Sequence, residues 1–273
     1  VGEREIGFLF GQYKKITNTF SGVMTGKGLV YGGAPMRPEA TGFGLVYFLE
    51  RMLDEHDRSL DGRTIAISGA GNVALNAAFK AIERGARPVT LSNSDGFLHA
   101  GEGFSEDKLA AIRDADERLD ALAGRLDATW HGGKKPWGVQ CDIALPCATQ
   151  NELDGDDARA LVSNGVIAVA EGANMPCTAE AVDCFRANDV LFAPAKAANA
   201  GGVALSGLEM SQNAAFEMGD RDHLGERLKT IMCQIHDRCL QHCGEGRVVN
   251  YARGANIAGF RKVADAMLSF GVA

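Results

Sequence analysis

Between residues 64 and 193, short apolar runs alternate with longer stretches in which apolar positions recur every three or four residues. Thr64-Ile65-Ala66-Ile67-Ser68 is too short for a helix and reads as a strand, as do 88–92, Ile143-Ala144-Leu145-Pro146, 166–170 and Val190-Leu191-Phe192. Helical spacing fills 75–84, 156–164 and 178–188, the first two closed by Gly85 and Gly165. Upstream, Val46, Leu49, Met52 and Leu53 predict a helix over 41–53 behind Pro38, and downstream 228–243 reads as an amphipathic helix. The acidic stretch 102–127 lacks strand alternation, so surface helices with a solvated face and no function are expected between the second and third strands. Continuous apolar strands separated by amphipathic helices are the pattern of a parallel sheet covered on both faces. The predicted fold class is therefore α/β, with a doubly wound, mostly parallel sheet and flanking helices.

Composition narrows the partners. A net charge of −7 argues against a nucleic-acid or anionic-membrane surface, which needs clustered Lys and Arg. No run approaches the roughly 18 apolar residues of a membrane span, and the opening lacks the basic-apolar-small order of a signal peptide, so a cytoplasmic location is expected. Seven cysteines in 273 residues predict reduced, packed thiols rather than a disulfide framework. His236, Cys239, His242 and Cys243 have spacings that put them on one helical face, but that segment reads as an amphipathic helix with Cys as a small apolar residue, and no metal is expected.

The candidate chemistry begins at Gly69-x-Gly71-x-x-Ala74, directly after a strand and opening a helix. The first glycine permits the tight turn and the second lets the backbone approach a pyrophosphate. Ala74 allows close helix packing, while the helix N-terminus faces the phosphates. This is the Rossmann-like context for a dinucleotide. Its ribose would lie at the end of the second strand, where Ser92, Asn93 and Ser94 suit a 2′-phosphate while Asp95 suits a free ribose, so NADP is favoured with NAD as the alternative. Asp95-Gly96 also reads as a turn. Three further loops follow later strands: Pro146-Cys147-Ala148-Thr149-Gln150-Asn151, Glu171-Gly172-Ala173-Asn174-Met175-Pro176, and the stretch from Ala195 through Asn199 to Val203. Each offers amides or hydroxyls beside small residues, which suits a ribose, a carboxamide and a close backbone approach.

Taken together, Arg37-Pro38-Glu39-Ala40-Thr41-Gly42, Gly71-Asn72-Val73-Ala74, Cys147-Ala148-Thr149-Gln150-Asn151-Glu152, Glu171-Gly172-Ala173-Asn174-Met175-Pro176, Ala198-Asn199-Ala200-Gly201-Gly202-Val203 and Gly254-Ala255-Asn256-Ile257-Ala258-Gly259-Phe260 resemble the hexameric glutamate dehydrogenases in order and spacing, from end to end of the chain. The resemblance implies that Thr41 and Asn72 contact the cofactor, with Ser68, Gly69, Gly71, Val73, Ala148 and Asn174 lining the same cleft. It implies that Thr25, Asn199, Val203 and Ser206 hold the amino acid, and that the reaction is reversible oxidative deamination of L-glutamate to 2-oxoglutarate and ammonium.

The family's catalytic Lys and Asp have no match among these residues, and their positions would precede Val1. No catalytic residue is therefore expected in this chain, which by itself would lack turnover; Lys27 and Lys196 offer no replacement. Arg37 is open between pairing with a carboxylate and bracing a domain junction. The expected division is 1–36 as the end of a substrate and assembly domain, 37–246 as the dinucleotide-binding domain, and 247–273 as a helix returning to the first. A homohexamer is expected at full length. A nucleotide-binding module without turnover, and a dehydrogenase for another amino acid, are the alternatives.

Overall fold

The computed structural model describes residues 2–246 and 248–271; Val1, Arg247 and Ala273, at which expected domain limits fall, lie outside the described residues. The chain opens with α1 (Glu3–Thr17) and reaches α2 (Ala40–Asp54). Next come β1 (Thr64–Ile67), α3 (Asn72–Glu83), β2 (Arg87–Asn93), β3 (Gly96–His99), α4 (Glu106–Arg113), β4 (Thr129–Gly132) and β5 (Ile143–Leu145). Then follow α5 (Gly155–Ser163), β6 (Ala168–Ala170), α6 (Ala179–Ala187), β7 (Leu191–Ala193) and α7 (Ala195–Ala198). The helices α8 (Gly201–Ala215), α9 (Arg221–His242) and α10 (Tyr251–Phe270) finish the chain.

All seven strands form one sheet in the order β4-β3-β2-β1-β5-β6-β7. From β2 to β7 the pairing is parallel, with Ile65 opposite Ile143 and Ala168 opposite Leu191. Chain order reverses across β1, so the connections wind to both faces as predicted, and the strand ends open a crevice there. One apolar layer joins α2, α3 and α9 to Ile65, Ile67, Ile143 and Leu145; a second, on the other face, packs Ala66, Ala144 and Val169 against α5 and α6. Every residue of β5, β6 and β7 is buried, which explains their uninterrupted apolar sequence.

The stretch 102–127 differs from expectation. It holds one α-helix and a short 3-10 turn rather than a run of surface helices, and Leu109, Ile112, Leu119, Leu122 and Leu126 join the main core. Two strands absent from the sequence reading flank it. β3 and β4 pair antiparallel with β2 and with each other, Phe97 opposite His131 and Leu98 opposite Trp130. Helix starts also move. α3 begins at Asn72 because the glycine turn delivers the chain straight into it, and α9 begins at Arg221 because the Asp220 side chain accepts the His223 amide at 3.0 Å.

His236 packs in the core edge-on to Phe48, and its Nε2 shares a 3.0 Å hydrogen bond with the Tyr251 hydroxyl, while Cys239 is buried beside them. No helix among the described residues is long and apolar enough to cross a membrane.

Candidate functional site

At the end of β1 the backbone turns through Gly69, whose φ of +83° is a left-handed conformation that L side chains adopt only with strain. A Cβ there would stand 3.1 Å from the Cys147 carbonyl oxygen, so the turn also needs glycine for closeness to the loop after β5. Two hydroxyls secure it from beneath. The Gly69 amide donates to Ser92 Oγ at 2.8 Å, and the Cys147 amide donates to Ser68 Oγ at 2.9 Å. Ser68 is fully buried and Ser92 nearly so. Ser68 thus ties β1 to the β5 loop underneath the cleft, while Ser92 also reaches its wall.

Two clefts open above this floor and share Ala148 and Thr149. The outer one, about 720 Å³, runs from Gly69 and Gly71 past Ser92, Asn93 and Ser94 to Lys134. The inner one, about 900 Å³, brings together Thr41, Val73 and Asn174 with Thr25, Asn199, Val203 and Ser206. Asn72 stands apart, at the start of α3, where its amide donates to the Pro38 carbonyl and it borders a third hollow beside Thr25 and Arg37.

The loops after β5, β6 and β7 are fastened by polar side chains. Glu171 accepts the amides of Ala195 at 2.7 Å and Cys177 at 3.1 Å, joining the β6 and β7 loops; burial raises its carboxyl pKa against the pull of those donors. Asn199 Nδ2 donates to Asn174 Oδ1 at 2.8 Å, across the same two loops. Glu152 accepts the Ala148 amide at 2.9 Å and curls the β5 loop; burial raises its pKa too. Burial also pushes the Cys147 thiol up, which keeps it an inert thiol.

On the far wall, α8 is clamped to residues 23–27. Lys27 Nζ lies 2.8 Å from Glu209 Oε1 with both side chains almost completely buried, and the Gly26 amide donates to the same carboxylate at 2.8 Å. Lys27 Nζ also donates to the Val23 carbonyl at 3.1 Å. This fixes Thr25 opposite Ser206, one helical turn before Glu209. Arg37 Nε donates to Ser206 Oγ at 3.1 Å and its guanidinium lines the inner cleft, so it both braces the wall and presents cationic charge. Lys196 is directed away, donating to Asn256 Oδ1 at 2.6 Å.

Sequence reading missed Lys134 and Lys135 in the outer cleft, because the strand and loop that carry them there were not foreseen, and Glu117, because the acidic stretch was expected to be a solvated face without function. It also missed the Glu209 partner of Lys27, 182 residues away in sequence, which no local pattern marks. Asp95 sits in the β2–β3 turn, its carboxylate 3.0 Å from Arg118 and off the cleft lining.

A profile described as Glutamate/Leucine/Phenylalanine/Valine dehydrogenase matches residues 32–271. An NADP-specific glutamate dehydrogenase from Escherichia coli (strain K12) is 53% identical over 276 residues, covering 100% of this chain and 62% of that protein. An NAD-specific glutamate dehydrogenase from Bacteroides fragilis (strain YCH46) is 49% identical over 278 residues, with the same 100% and 62% coverage. The crystal structure of Plasmodium falciparum glutamate dehydrogenase superposes with a TM-score of 0.97 at 44% identity, covering 100% of this chain and 60% of that one. The chain thus spans about 62% of the length of these curated relatives.

Proposed function

Since the chain belongs to the glutamate/leucine/phenylalanine/valine dehydrogenase family, we infer that it is the cofactor-binding part of an enzyme that interconverts L-glutamate with 2-oxoglutarate and ammonium using NADP(H). The observation that carries this reading is the shared wall at Ala148 and Thr149, which sets the glycine-turn cleft directly beside the cleft of Thr25, Asn199, Val203 and Ser206. One molecule can lie along the first and meet a second in the other.

The residues fit a dinucleotide. The Gly69 turn and the free amides at the start of α3 present donors to a pyrophosphate, and the space beside Gly71 is open, with no atom where its Cβ would be. When bound, the nicotinamide would supply the hydride acceptor. Thr41, Asn174 and the β5 loop at Ala148 would orient its ring and carboxamide, and Val73 would exclude water from one side. Arg37 and the hydroxyls of Thr25 and Ser206 would hold substrate carboxylate, with charge-assisted hydrogen bonds supplying the orientation.

Among the described residues, the ionisable groups lining the inner cleft are Arg37 and Cys147. A guanidinium stays protonated and this thiol is held protonated by burial, so neither removes a proton from an amine. We place the Lys and Asp that move protons outside this chain, consistent with relatives that are longer than it. Residues 37–246 act as the dinucleotide domain, with 1–36 and 247–273 at the border of a substrate and assembly domain. Apolar side chains left exposed on α1 (Phe8, Leu9) and α10 (Phe260, Leu268) fit a role in contacts with that domain or in a homohexamer. A cytoplasmic location accords with this chemistry.

The test is a full-length protein carrying this chain, followed by NADPH absorbance. Oxidation that requires both 2-oxoglutarate and ammonium is expected, with this chain alone binding nucleotide but not turning over. A full-length protein that oxidises NADPH only with other 2-oxo acids, or not at all, overturns the substrate assignment.

A further inference from the structure

The outer cleft extends beyond what a pyrophosphate needs. Past the glycine turn it continues along the end of β2, at Ser92, Asn93 and Ser94, to the loop that follows β4. That loop is held against the β2–β3 turn by a 2.7 Å hydrogen bond from the Gly133 amide to the Asp95 carbonyl. Lys134 follows directly, exposed and on the cleft lining.

The other ionisable groups at this cleft have partners of their own, Glu152 accepting the amides of Ala148 and Thr149. Lys135 Nζ lies 2.6 Å from Asp157 and 3.1 Å from Asp154. Arg118 is paired with Asp95 and Asp120, both at 3.0 Å, and Glu117, on the cleft lining, has Arg125 at 3.6 Å. Lys134 has no ion pair among the described residues. Of the two lysines on the cleft lining, Lys134 is therefore the one without an ion pair among the described residues, and it shares that lining with Ser94, whose hydroxyl is unengaged. The carboxylate that would favour a free ribose, Asp95, is turned to Arg118.

Resting on the dinucleotide reading above, we propose that Lys134 selects the phosphorylated cofactor: its ammonium meets the 2′-phosphate of the adenine ribose beside Ser92 and Ser94. A point cation on a flexible stem suits a phosphate dianion approached from one side. An unphosphorylated ribose gains nothing from it.

Two nucleotides differing only in that phosphate, adenosine 2′,5′-bisphosphate and adenosine 5′-monophosphate, are titrated calorimetrically into this chain. The wild type binds the bisphosphate more tightly. Lys134→Gln weakens the bisphosphate by roughly tenfold, the scale of one charge-assisted contact, and leaves the monophosphate unchanged. Lys134→Arg, which keeps the charge, retains the preference. A Gln variant with the wild-type ratio, or an Arg variant that loses the preference as fully as Gln, overturns the assignment. If the wild type binds neither nucleotide, the dinucleotide reading itself fails, a result separate from equal binding of both.

Discussion

The parallel strands β5, β6 and β7 are buried along their whole length, and the loops after β5 and β6, with Asn199 at the end of α7, line the inner cleft. The antiparallel pair β3 and β4, at the other edge, is built differently: β3 is mostly buried, while β4 is half exposed and carries Trp130 and His131. Apolar packing on both faces gives the parallel side a fixed frame, and the positions of its loops follow from it. The antiparallel side is an extension with one wet edge, and what it brings to the site is charge, through Lys134. On the function proposed above, the frame sets where a dinucleotide lies, and the extension adjusts which one is held.

Removing a side chain from the frame is the largest expected effect. Leu145 is fully buried in β5, between β1 and β6, and its carbonyl accepts the Ser68 amide at 3.2 Å. Leu145→Ala should cost about 2–5 kcal/mol, the transfer loss plus the cavity. Urea denaturation followed by circular dichroism measures it. A loss below about 1 kcal/mol would mean that the site collapses around the gap and the frame is softer than its burial implies.

A smaller loss is expected in the extension. Gly96 has φ of +155°, and a Cβ there would fall 2.4 Å from the His131 carbonyl on β4. Gly96→Ala should cost about 1–3 kcal/mol in backbone strain or in partial loss of the β3–β4 pairing. Its signature separates it from a frame mutation, because the shift of β4 displaces Lys134. The preference for adenosine 2′,5′-bisphosphate should fall while monophosphate affinity persists. If both affinities fall together, the extension and the frame are one unit.

The same contrast explains what could be read from sequence. Ile143-Ala144-Leu145 announces a buried parallel strand because neither face meets water, and Gly69-x-Gly71-x-x-Ala74 announces its turn because each small residue is needed at its place. Gly96-Phe97-Leu98-His99 and Thr129-Trp130-His131-Gly132 announce nothing comparable: they are short, rich in glycine and histidine, and pair across a gap of some thirty residues that holds α4 and a 3-10 turn. Lys27 illustrates a third case. Its glycine-rich surroundings read as a loop, and only the fold reveals that Glu209 buries it. Loop residues such as Asn174 and Asn199 were legible as polar groups at strand ends, but not as partners of each other.

The smallest and most localised effect is a response to pH of opposite sign in the two regions. In β3, burial holds the half-buried His99 below its ordinary 6.5, with the neighbouring His131, 6.1 Å away between ring centres, acting in the same direction. The unfolded chain therefore takes up this proton more readily than the native one. The contribution of His99 is present above pH 6.5 and is lost as pH falls through its native value. Glu171, on the frame, is raised above its ordinary 4.5, so its contribution is complete below that value and is lost as pH rises through its native one. Acidifying from about pH 7.5 to about 5.5 should then loosen β3 and β4 while leaving the β6 and β7 loops as tight or tighter. Hydrogen exchange, corrected for intrinsic rates, should show protection falling in peptides that span 96–99 and 129–132, and His99→Gln should remove the difference. If protection falls equally in both regions, the sheet opens as one cooperative unit, and the extension has no independent stability with which to tune the cleft.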